Sequence, residues 1–256
     1  MSELLISDRD GIRVLTLNRP EKRNALNEEL IDSLKTALSS VQDGADVKVV
    51  VIRGAGNDFC SGADLASIKK LANSTYEDNL RDAQNLMELY SMIRRLPVPV
   101  IAAVHGRALA GGAGLATACD VVLAARSSRF GYPEVRIGFV PAMVMAVLRR
   151  NLGEKVAFEL STLGFEFTAE RAHHIGLVNR VLDDSIFEVE VQQYADSYAA
   201  LSRSAITATK KLLYRMDDLN FDEAILAGAE VNAEVRMSKD CREGIARFFK
   251  KNAKPR

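Results

Sequence analysis

Three short runs constrain this chain most: "VKVVVIRG" from Val47, "VIAAVHG" from Val100 and "VVLAAR" from Val121. They are rich in β-branched and small apolar residues and do not alternate polar with apolar. A strand with one wet face alternates, whereas one covered on both faces reads as a continuous apolar run, the habit of parallel sheets. Helical patterns lie between the runs, and strand and helix in alternation imply an α/β fold with right-handed crossovers.

The flanking segments fit that frame. "LLIS" and "IRVLTL" read as two strands of a hairpin turned at Asp10-Gly11. Asn27 is placed to cap a helix whose Leu30, Ile31, Leu34, Leu38 and Val41 recur at helical spacing. "YEDNLRDAQNLMELYSMIRRL" is a long amphipathic helix ended by the prolines of "PVPV". Three shorter helices follow, each expected to close on a glycine at the C-cap: Gly153, Gly164 and Gly176. "LVNRVL" is a short strand. From about Glu188 the pattern is almost wholly helical, so residues 1–187 are expected to form the core and residues 188–256 a helical C-terminal region.

Composition removes several functions. Lys plus Arg and Asp plus Glu are both 34, which leaves no basic field for nucleic acid and no polybasic face for a membrane. Cys60, Cys119 and Cys241 are odd in number and far apart, as free thiols in a reducing compartment would be. No metal-ligand spacing surrounds His105, His173 or His174, so no metal is expected. The start of the sequence lacks a basic region followed by a long apolar run, and the expected location is cytoplasmic.

Two loops share one design. "CSGADL" follows one strand and "LAGGAGL" the next, and each leads into a helix. Small residues expose backbone N–H groups there, and a helix N-terminus adds unpaired donors and partial positive charge. Two such donors aimed at one point make an oxyanion hole. The second loop is not a dinucleotide fingerprint, because G-G-x-G lacks the required spacing.

These loops belong to a longer series: "NRPEKRNALN", "VVVIRGAGNDFCSGADL", "PVPVIAAVHGRALAGGAGLATACDVVLAA", "FGYPEVRIGFVP", "TAERAHHIGLVNRV" and "KDCREGIARFFKKNAKP". In order and without large insertions, the series resembles the crotonase superfamily, the enoyl-CoA hydratase/isomerase family. The resemblance implies a spiral of ββα units with a helical trimerisation region, a homotrimer or homohexamer, and an acyl-CoA thioester as substrate. Coenzyme A would then arrive as part of the substrate, with no prosthetic group.

By that resemblance the oxyanion-hole donors are the N–H groups of Ala63 and Gly111. The coenzyme would lie near Arg23, Ala25, Ala63, Asp64, Leu65 and Gly111, with Lys22 as an alternative phosphate partner. Lys250, Lys251 and Lys254 are candidates for a terminal phosphate, and Met143 and Met145 for the acyl pocket. Hydratases of the family hold a water between two glutamates; this sequence has Glu134 at the second place and Gly114 at the first. The apolar neighbours Phe130, Tyr132, Val135 and Ile137 suggest a buried Glu134 with a raised pKa.

A single carboxylate suits double-bond isomerisation, which takes a proton from one carbon and returns it to another. Hydration, or acyl-CoA binding without catalysis, stands as the alternative. Ala142 lacks the extra acid of the dienoyl isomerases. His105 does not match the dehalogenase histidine, and Asp120 reads as structural.

Overall fold

The computed structural model describes residues 2–42, 46–71 and 73–252. Its first elements are the hairpin of β1 (Leu4–Arg9) and β2 (Ile12–Leu17), then α1 (Glu28–Gln42), β3 (Val49–Gly54), α2 (Leu65–Leu71) and α3 (Tyr76–Arg95). The middle of the chain contributes β4 (Val100–Val104), β5 (Arg107–Leu109), α4 (Gly111–Ala118), β6 (Val121–Ala125) and β7 (Arg129–Gly131). Then come α5 (Ala142–Asn151), α6 (Glu154–Leu163), β8 (Phe167–Thr168), α7 (Ala169–His174) and β9 (Arg180–Leu182). Four helices end the chain: α8 (Phe187–Ala199), α9 (Arg203–Arg215), α10 (Phe221–Met237) and α11 (Lys239–Asn252).

The larger sheet runs β1-β2-β3-β4-β6-β9, antiparallel at the hairpin and parallel from β2 to β9. A smaller sheet runs β5-β7-β8. Each turn of the spiral gives one strand to the larger sheet, a short extended piece to the smaller one, and then a helix. Thus β4 leads through β5 to α4, and β6 leads through β7 towards α5. β3 leads to Cys60, which makes a parallel bridge to Ala108 of β5, and then to α2.

The apolar runs are buried on both faces. Leu15, Val50, Ile52, Ala102, Val104 and Val122 belong to the core cluster that takes in Leu34 of α1 and Leu89 of α3. Their chain neighbours Val49, Val51, Ile101, Ala103 and Leu123 pack with Phe187 and Val191 of α8. Period-two alternation places successive residues on opposite faces, and here both faces are dry.

Local signals act where the chemistry requires. The hairpin turns through Asp10 and Gly11, both at positive φ, and the Asn27 side chain accepts the Leu30 N–H at 2.9 Å. Gly164 is a left-handed C-cap. Gly153 differs from expectation: α5 ends at Leu152 in extended backbone, and Gly153 is the N-cap of α6. The two helices abut so closely that the glycine serves the start of the second. Among the described residues, no helix is long and apolar enough to cross a membrane.

Candidate active site

The loops after β3 and β5 lie against each other. The Cys60 N–H donates to the Arg107 carbonyl at 3.1 Å, and the Leu109 N–H donates back to the Cys60 carbonyl at 3.0 Å. Gly62 has φ +96, and a Cβ there would come within 2.8 Å of the Ala110 Cβ and 3.3 Å of the Gly111 nitrogen. The glycine therefore permits both the backbone turn and the approach of the two loops.

Ala63 follows directly. In its parallel bridge with Leu26, the bonds are made by its neighbours: the Leu26 N–H to the Gly62 carbonyl at 2.7 Å and the Asp64 N–H to the Leu26 carbonyl at 2.9 Å. The Ala63 N–H is thus turned to the other side, and the residue is exposed. Gly111 is the first residue of α4, where a backbone N–H has no intrahelical acceptor. Among the described hydrogen bonds, neither the Ala63 nor the Gly111 N–H has an acceptor.

Ala110, the N-cap of α4, has φ 48 and ψ −124, a conformation that costs a non-glycine residue roughly 1–3 kcal/mol. It is held by its N–H to the Gly131 carbonyl at 2.9 Å and its carbonyl to the Gly114 N–H at 2.9 Å. The first of these bonds ties the Gly111 turn to β7. Three residues past Gly131 comes Glu134, in a single 3₁₀ turn over Pro133–Ile137. One of its carboxyl oxygens, Oε2, is buried without a hydrogen-bond partner. Burial raises the Glu134 pKa above the ordinary carboxylate value. Phe130 and Tyr132 are buried, Val135 is half-buried and Ile137 is exposed, so the apolar surround comes from fewer neighbours than the sequence implied.

The space at Gly114 is filled. A Cβ on this residue would lie 2.5 Å from the Tyr90 hydroxyl oxygen and 2.6 Å from Val144 Cγ2. Tyr90 comes from α3 and is 4% exposed. Its hydroxyl donates to the Gly111 carbonyl at 2.7 Å. Burial first, then the neighbouring Cys60 and Glu134, raises the phenol's pKa. Beyond Tyr90 lies a pocket of about 370 Å³ lined in part by Met87, Arg94, Met143, Val147 and Tyr214. Met143 borders it, whereas Met145 is exposed.

The expected coenzyme residues divide into two groups. Arg23 and Lys22 are exposed beside the "SGADL" loop, and the Arg23 carbonyl accepts the Ser61 N–H at 3.0 Å. Ala25 and Asp64 are buried and occupied internally. Asp64 accepts the Ala66 N–H at 2.8 Å and an Arg19 N–H at 2.8 Å, and these two partners hold its pKa below the usual range. The Asp64 carboxylate therefore caps α2 and braces the loop. Leu65 opens α2, but its side chain lies outside the described residues. Lys250 is exposed on α11; the Lys251 side chain and Lys254 also lie outside the described residues.

Three supporting residues went unread in the sequence: Arg19, Asn24 and Tyr90. Asn24 is fully buried at φ 53, its amide donating to the carbonyls of Ala55 and Asp58 at 2.8 and 2.7 Å. An asparagine at positive φ is the available signal, because this residue tolerates left-handed backbone better than most. His105 bonds the Gly56 carbonyl at 2.9 Å and packs on Phe187, away from the site.

The two N–H turns, the half-buried Glu134 that follows the strand tied to them and the spiral fold define a class, and comparison with known proteins agrees. Residues 7–255 match the profile of the enoyl-CoA hydratase/isomerase family. A putative enoyl-CoA hydratase of Thermus thermophilus is 38% identical, covering 95% of this chain and 96% of its own. The 2,3-dehydroadipyl-CoA hydratase of Escherichia coli is 32% identical over 98% and 97%. The crystal structure of an enoyl-CoA hydratase from Mycobacterium smegmatis superposes with a TM-score of 0.94, at 32% identity and 98% and 97% coverage.

The chain belongs to the enoyl-CoA hydratase/isomerase family of the crotonase superfamily and is an enzyme of that family.

Proposed function

We propose that the protein isomerises the double bond of an enoyl-CoA with one carboxylate. The Ala63 and Gly111 N–H groups receive the thioester oxygen, and Glu134 moves the proton. In a 3-enoyl-CoA, Glu134 takes a proton from C2. The C–H electrons pass into the thioester to give a dienolate whose oxygen sits on the two donors. The carboxyl then returns the proton to C4, and the double bond ends between C2 and C3. Deleting one oxyanion-hole donor in other enzymes costs about 3–4 kcal/mol of barrier, so a pair supplies much of what a weakly acidic α-carbon needs.

One observation carries this reading: the place a second glutamate would take holds Gly114, and its side-chain space is already filled by Tyr90 and Val144. Burial raises the Glu134 pKa, which makes the carboxylate a stronger base than an exposed glutamate. Arg23 and Lys22, exposed beside the loop, are the proposed partners of the coenzyme's phosphates, with Lys250 a further candidate. Backbone of Ala25, Asp64 and Leu65 would shape the channel, the Ala25 side chain being small and the Asp64 carboxylate engaged by Arg19 and the Ala66 N–H. The Gly111 turn closes its inner end.

A second reading is hydration of a 2-enoyl-CoA, favoured by the names of the relatives above. A paired assay separates the two. One arm follows loss of the ultraviolet absorbance of a 2-enoyl-CoA; the other follows a 3-enoyl-CoA becoming the 2-enoyl product. Isomerisation without hydration supports one-carboxylate chemistry, and efficient hydration overturns it. Acyl-CoA binding with neither reaction would mark a member that keeps the fold as a binder.

A further inference from the structure

We propose that Tyr90, seated with Val144 over Gly114, is the positioning residue that excludes a second carboxylate and fixes the Gly111 turn. The inference rests on the one-carboxylate reading above and names what enforces it. Glycine at 114 is not an open space awaiting a side chain. A Cβ there would meet the Tyr90 oxygen at 2.5 Å, the Tyr90 Cζ at 3.0 Å and Val144 Cγ2 at 2.6 Å, all nearer than ordinary contact. The tyrosine cannot easily swing away. It is 4% exposed, packed in the central core with Leu89 and Ile93 of the same helix, and its hydroxyl is spent on the Gly111 carbonyl at 2.7 Å.

That bond gives Tyr90 a second task. Gly111 follows Ala110, whose backbone is strained, and its carbonyl leads into the first turn of α4. A tether there fixes the peptide on the far side of the Gly111 Cα and so restrains how the residue, and with it the N–H, can turn. An enolate oxygen, with more charge than a ground-state thioester, depends more on the direction of that N–H. Loss of the tether should therefore weaken turnover more than substrate binding.

The test measures both reactions and the thermal midpoint. Four proteins are compared: wild type, Gly114→Glu, the pair Tyr90→Ala with Val144→Ala, and that pair combined with Gly114→Glu. We expect Gly114→Glu alone to lower the midpoint and gain no hydration. The combination should hydrate about a hundredfold faster than the Tyr90→Ala, Val144→Ala pair, since both lack the tether and only the combination supplies the missing acid. A Gly114→Glu protein as stable as wild type that hydrates well would overturn the proposal. So would a folded combination with no gain over the pair.

Tyr90→Phe covers the case in which the combination does not fold, because it keeps the ring and removes only the donor. Its kcat for isomerisation should fall about tenfold with little change in KM, and an unchanged kcat would count against the tether. Efficient hydration by the wild type would sink the one-carboxylate reading before any variant is made, so the two failures are distinguishable.

Discussion

Burial acts on Glu134 in opposite directions for stability and for catalysis. With its pKa raised, the folded state prefers the protonated carboxyl, so folding bears no penalty at pH below the ordinary carboxylate value of 4.5. The penalty grows as pH rises from that value to the raised one and is complete above it. Glu134→Gln removes the charge at nearly constant size. We expect its thermal midpoint to match wild type in acid and to exceed it once the wild-type carboxyl ionises, the difference then levelling off, while turnover is abolished and CoA binding stays nearly intact. Full activity in that variant would remove Glu134 from the mechanism. The rate should also fall in acid at a pH above the usual carboxylate range, because the base form is lost early. Glu134 is singled out by the family resemblance, with Phe130, Tyr132 and Val135 signalling only a dry setting nearby. Tyr90 is not: it lies 24 positions before Gly114 within an amphipathic helix, where an inward tyrosine looks like ordinary core.

Neighbouring turns of the spiral are stitched at the level of elements, and the stitch is where the site forms. Gly112, in the first turn of α4, faces the Cys60 carbonyl so closely that any Cβ would collide with backbone. That carbonyl is the one accepting the Leu109 N–H. Gly112→Ala must push the loops after β3 and β5 apart, and overpacking of this kind costs about 1–3 kcal/mol or more. We expect a lower urea midpoint together with a lost kcat. An unchanged protein would show that the two loops are free to separate. The main strands and the capped helices were legible because each carries a repeated local signal. β5, β7 and β8 have three, three and two residues, too few for any period to register. The identity of the site's second loop was readable from its glycines, but its partner across the small sheet was not.

A buried charge cluster helps fasten α9 to the core. Lys210 of α9 reaches the carbonyls of Ile93 and Val98 at 2.9 and 3.0 Å and the Asp120 carboxylate at 2.7 Å. The other Asp120 oxygen takes the Tyr214 hydroxyl, and the Val100 N–H donates to the same carboxylate. Desolvation pulls the Lys210 pKa down against the attraction of Asp120. Lys210→Met would strand a carboxylate that is 14% exposed, and breaking such a pair from one side costs about 3–5 kcal/mol. Urea unfolding should show that loss, and less of it when Asp120→Asn is made as well. Beyond this anchor, α10 exposes Phe221, Ile225 and Leu226, and α11 exposes Ile245, Phe248 and Phe249. A folded chain seldom leaves so many large apolar side chains in water on adjacent helices without a partner to cover them. The proposed cover is another copy of the same chain, in a trimer or a pair of trimers. Light scattering on the eluting protein should then give three or six times the 28.1 kDa chain. Ile225→Glu with Leu226→Glu, which adds charge to that surface without touching the core, should shift the mass towards the single chain. A wild-type protein that elutes as a monomer would mean these side chains face water.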